Sequence, residues 1–126
     1  MFTWLKNLWC GFFAPMPELS EWYFVQFDKQ NVYVNANPPN KESWAYQFEW
    51  QSIQRVCFED GGLRQSDCLY IWVQNQERAY MIPTEASGGS ELFGELNKRG
   101  FFPDDLMKQA ASSTDGGLYC YPALDD

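Results

Sequence analysis

Hydrophobic and polar positions change their period twice along the chain, and three regions follow from that. In residues 1–21, Phe2, Leu5, Trp9 and Phe12 recur at helical spacing until Pro15 and Pro17 forbid continuation, which predicts an N-terminal arm or short helix. From residue 22 to 83 the period is two. Residues 22–27 and 32–36 read as strands joined by the polar turn Asp28-Lys29-Gln30-Asn31, after which Asn37-Pro38-Pro39-Asn40 breaks the chain. Trp44, Tyr46, Phe48 and Trp50 then alternate strictly with Ala45, Gln47 and Glu49, so a third strand carries four aromatic rings on one face. Such a row is expected to point into a core.

Ile53 and Val56 stand three apart, which predicts a bend or bulge before a fourth strand over residues 56–59. Asp60-Gly61-Gly62 turns the chain. Residues 68–73 are apolar on both faces, as in a central strand covered on each side, and residues 78–82 form a sixth strand ending at Pro83. Residues 87–112 switch to helical spacing. Leu92, Phe93 and Leu96 make the buried stripe of a first helix, with Glu91 and Glu95 toward its start, Lys98 and Arg99 at its end and Gly100 beyond. Pro103, Asp104 and Asp105 open a second helix carrying Leu106, Met107 and Ala110. Residues 113–126 read as an acidic tail in which Leu118, Tyr119 and Tyr121 are able to dock. The expected class is α+β: a single domain of about six short antiparallel strands in a bent sheet or open barrel, closed by C-terminal helices.

Composition narrows the chemistry. With 45% hydrophobic and 18% aromatic residues in 126, the chain has the apolar content for one core and is not of the disordered class. No apolar run reaches the ~18 residues of a spanning helix, so integral membrane association is not expected. Nine bases against seventeen acids give a net charge of −8, which disfavours a phosphate backbone as partner. The excess is lopsided: residues 1–58 hold four bases and five acids, residues 59–126 five and twelve. If those acids converge on one face, they steer a basic partner toward it.

Histidine is absent, which excludes Ser-His-Asp and Cys-His nucleophile arrangements. The acidic pairs Glu59-Asp60, Asp104-Asp105 and Asp125-Asp126 adjoin turns or caps, where solvated acids are ordinary, so no catalytic centre is expected; Glu59 and Asp60 are the pair to watch. Cys10, Cys57, Cys68 and Cys120 include no CxxC pair, so neither a metal site nor any other cofactor is expected. No signal peptide is recognised, and reduced thiols in the cytoplasm are the expectation; Cys57 and Cys68 flank a hairpin and either face each other or are simply buried. Ser87-Gly88-Gly89-Ser90 precedes a helix but lacks the lysine of a phosphate loop and is flanked by Glu85 and Glu91, so it reads as a cap.

The run Phe48-x-Trp50-x-x-Ile53-x-x-Val56, a two-strand stretch, Ile82-Pro83 and an amphipathic helix ending in Arg99-Gly100 resembles a group of small bacterial proteins and, more loosely, the bacterial pleckstrin-homology-like domains. The likeness spans Val32 to Gly100. It implies a bent sheet closed at one end by a helix, and a cytoplasmic binding scaffold without a catalytic centre. Members that hold phosphoinositides use a basic first hairpin loop; here that loop offers Lys29 beside Asp28, so headgroup binding does not carry over. The expected function is a small acidic protein-interaction module. A sharper form is an immunity-type inhibitor covering a basic toxin. The alternative is an aromatic ligand-binding domain for a glycan, with Trp4, Trp9 and Trp22 as its candidate rings.

Overall fold

The computed structural model describes residues 19–61, 67–112 and 116–123. Trp4, Trp9 and nearly all of the expected N-terminal arm lie outside them; the described chain begins in a short 3-10 turn, Leu19–Glu21. Two antiparallel sheets follow. The first runs in the order β1 (Tyr23–Phe27), β2 (Asn31–Ala36), β3 (Trp44–Glu49). Its register sets Val25 against Val34 and Val34 against Tyr46, so the alternate apolar residues of all three strands share one face. The polar residues between them face out.

The second sheet runs β6 (Tyr80–Pro83), β5 (Cys68–Val73), β4 (Ile53–Glu59), β7 (Leu118–Tyr121), with every neighbouring pair antiparallel. A 3-10 turn at Trp50–Ser52 makes the expected bend into β4, and a register shift between Ile53 and Arg55 sharpens it. β5 is buried on both faces, as its unbroken apolar run requires: Leu69, Ile71 and Val73 enter the main core, while Cys68 and Tyr70 join Cys57 in a second cluster with Trp72 and Met81.

Helix α1 (Gly89–Lys98) buries Leu92 and Leu96, and its Phe93 stacks on Phe58 of β4 at 4.8 Å. Its start is fixed by backbone approach. Ser87 bridges the outer edge of β1, its N–H donating to Tyr23 O at 2.9 Å and its carbonyl accepting from Val25 N at 2.7 Å. Gly88 follows at φ +85°, where a Cβ would overlap the Val25 carbonyl oxygen, so only glycine fits. The Ser-Gly-Gly-Ser run therefore ties the first sheet to the helix as well as starting it. Helix α2 (Asp104–Ser112) packs on β7.

Three features depart from the expected architecture. There are seven strands among the described residues, since residues 118–121 of the stretch read as tail add a fourth strand to the second sheet, and they divide into two sheets where one bent sheet or open barrel was expected. Leu118 and Tyr121, at 50% and 44% exposed, give β7 too weak an apolar pattern to be recognised; the open edge of β4 makes it a strand. Free thiols are replaced by a Cys57–Cys120 disulfide, the two residues standing directly opposite in the β4–β7 register. Cys57 and Cys68 do not face one another across the hairpin, because the register puts Tyr70 opposite Cys57; Cys68 is oxidised as well.

Candidate functional site

The aromatic row of β3 is wall, not platform. Phe48 and Trp50 are buried, and Trp44 and Tyr46 are half-buried within a stack: Tyr46 lies parallel to Trp44 at 5.7 Å and to Tyr80 of β6 at 4.1 Å. These rings seal the seam between the two sheets. Tyr23 donates its hydroxyl hydrogen to Met81 O at 2.8 Å across the same seam, and burial raises its pKa. The Tyr46 hydroxyl is enclosed beside Tyr23 and Tyr80, and burial pushes its pKa well above the ordinary tyrosine value. Trp22 is 4% exposed, so its ring is packing and presents no face to a ligand.

Two candidate regions lie at the ends of β4, about 20 Å apart for a strand of that length. At its end, Glu59 and Asp60 meet residues that the chain brings from elsewhere. Glu59 accepts a hydrogen bond from the Tyr70 hydroxyl at 2.9 Å. Asp60 is 6% exposed; its N–H donates to Gly117 O at 2.9 Å and its Oδ2 accepts from Gly116 N at 3.1 Å, which pins the approach to β7. Asp67, at the start of β5, accepts from Gly61 N at 2.9 Å and shares a hydrogen bond with the Asp60 carboxyl. Burial first, then Asp60 and the nearby Glu85, raise the Asp67 pKa above the usual carboxylate range. Three carboxyl groups, those of Asp60, Asp67 and Glu85, thus come together at this end, with Glu59 next to Asp60 in the chain and bonded to Tyr70. Asp67 and Glu85 were not legible as members, since their approach depends on the pairing of β4, β5 and β6.

At the start of β4 the chemistry is different. A cleft of about 550 Å3 opens between the β1–β2 turn, the 3-10 bend and the C-terminal end of α1. Trp50 and Phe101 form its floor, with Lys29, Gln30, Glu49, Gln51 and Arg99 around them. Trp50 is held on every side: its indole N–H donates to Asp28 O at 2.8 Å, Phe27 meets it edge-on at 5.6 Å and the Arg99 guanidinium lies 4.0 Å over its ring. Arg99 Nε donates to Glu95 Oε2 at 2.7 Å, the i,i+4 pair of α1. The exposed Asp28 carboxylate sits below the usual carboxylate range because the backbone N–H groups of Asn31 and Gln30, then the Tyr33 hydroxyl, donate to it.

Neither end assembles a nucleophile with a base, and among the described residues no three His, Cys, Asp or Glu side chains are placed to hold a metal ion together. No helix among them is long and apolar enough to cross a membrane. No protein-family model, curated protein or solved structure matches the chain.

Proposed function

We propose that the chain is a small non-catalytic module that binds another protein, presenting the acidic end of its second sheet to a basic partner. One observation carries this reading: Asp60, Asp67 and Glu85, from three different segments, gather at one end of the sheet beside the chain neighbour Glu59, which turns a lopsided charge count into a local field. Its sharper form is an immunity-type inhibitor whose acidic face covers a basic toxin. Burial of Trp22 weighs against the glycan alternative, whose other rings, Trp4 and Trp9, lie outside the described residues. The pleckstrin-homology-like likeness belongs to the same proposal: a meander of antiparallel strands followed by α1 supports it, and β7 is an addition to that plan.

Affinity capture from extracts of the native cells tests the reading, with wild type compared with a Glu59→Gln/Glu85→Gln variant at low and moderate salt. Retention of one basic protein, lost in the variant and as salt rises, is the expected result. Binding indifferent to both changes removes the acidic end as the contact. The cytoplasmic setting enters the proposal with a condition on the thiols: in a reducing cytosol the Cys57–Cys120 bond is a reversible link, in an oxidising compartment a permanent one. Alkylation of the chain in freshly lysed cells reads which form is present, and a fully disulfide-bonded pair would argue against the cytoplasm.

A further inference from the structure

The cleft at the start of β4 brings two cationic side chains together in an acidic molecule. Among the residues that line it, Lys29 and Arg99 are cationic and Glu49 is anionic, while Glu95, paired with Arg99, and the Asp28 carboxylate stand beside it. Glu49 is also occupied, since Gln51 Nε2 donates to its Oε1 at 3.1 Å. The Lys29 ammonium has no ion pair among the described residues.

Arg99 is the informative group. Its plane is fixed by the Trp50 ring beneath it and by the short Nε bond to Glu95, yet its two terminal nitrogens reach only the Lys29 and Asp28 carbonyls, at 3.4 and 3.5 Å. Contacts of that length leave most of the hydrogen-bonding capacity of those N–H groups unspent. A guanidinium held in place with a weakly satisfied fork is suited to a carboxylate, which accepts two parallel N–H bonds. Gln30 supplies a neutral amide at the rim, and Phe101 extends the floor with apolar surface that a free inorganic ion would leave unused.

We propose that this cleft is a second binding site, for an acidic peptide segment of a partner protein, in which a carboxylate takes the Arg99 fork and the Lys29 ammonium while an adjacent apolar side chain rests on Phe101. The site lies at the other end of β4 from the acidic cluster and stands or falls apart from it.

The test is an amide-shift NMR titration of the whole chain with a blocked pentapeptide alternating aspartate and phenylalanine. Its asparagine counterpart and inorganic phosphate serve as the other two probes. The aspartate peptide is expected to shift Lys29, Gln30, Gln51, Arg99, Phe101 and the Trp50 indole, and to bind about tenfold more tightly than the asparagine peptide, as a charge-assisted hydrogen bond exceeds a neutral one. Lys29→Gln, at an exposed turn, weakens the aspartate peptide several-fold while leaving the fold intact. Arg99→Lys, which keeps the charge and loses the fork, weakens it further. Equal binding of the two peptides, shifts centred elsewhere, phosphate binding as tightly as the peptide, or no loss in either variant would each overturn the proposal.

Discussion

The start and the end of β4 are stabilised by different physics. At the start, a buried indole is clamped between aromatic rings and a guanidinium, and its one polar hydrogen is satisfied by a backbone carbonyl. At the end, carboxyl groups that repel one another are held by backbone N–H donors and by a hydrogen bond between two of them. The first arrangement depends chiefly on surface removed from water, and across pH 4 to 7 it changes little, since the lowered pKa of Asp28 moves its titration to more acid pH. The second changes with proton concentration. One strand thus joins an end set by packing to an end set by titration.

Removing the packing is expected to have the largest effect. Trp50→Ala deletes a ring 4% exposed together with its contacts to Phe27, Phe101 and Arg99, and should cost about 3–5 kcal/mol in urea unfolding. A loss under about 1 kcal/mol would mean that the ring contributes little to the core. Next comes the covalent tie at the other side of the sheet: replacing Cys57 and Cys120 by serine opens a link between residues 63 apart and should cost about 2–4 kcal/mol, read as the difference between the unfolding curves of oxidised wild type and the double variant. Gly88→Ala is expected to cost about 2 kcal/mol or more, from a left-handed backbone and a Cβ overlapping Val25 O, whereas Gly94→Ala on the open face of α1 should stabilise slightly.

The smallest effect sharpens the contrast most. The Asp67 carboxyl keeps its proton to higher pH in the folded chain than in the unfolded one. The native state therefore binds more protons across that window, and its contribution to stability is present at low pH and declines as pH rises from about 4 through the folded value. Asp67→Asn should flatten that slope when melting is followed from pH 4 to 7, while Trp50→Ala lowers the whole curve without changing its tilt. An unchanged slope in Asp67→Asn would place the titrating group elsewhere.

Most strands were legible because alternation records burial directly: Val32, Val34 and Ala36, or Phe48 against Gln47 and Glu49, report their own faces. The bend at residues 50–52 was readable from the lengthened spacing of Ile53 and Val56. β7 was not, because its burial follows from meeting the edge of β4 and leaves little pattern in Leu118–Tyr121. The same non-local register makes Cys120 the partner of Cys57, a pairing that local spacing does not encode. Of the candidate residues, Asp60 sits in an acidic cluster, Glu59 bonds to Tyr70 beside it, Trp22 is core, and Trp4 and Trp9 fall outside the described residues. Arg99 looked like a charge complementing the end of a helix; its stacking on Trp50 needed the fold.

The late strand also has a kinetic meaning. Because β7 docks on β4 after β5, β6 and both helices have intervened, the second sheet of a nascent chain keeps an uncovered border until residues 118–121 leave the ribosome. During that interval the backbone groups along β4 are a template for any extended segment within reach. The returning strand thus acts as a late seal against pairing between unfinished chains.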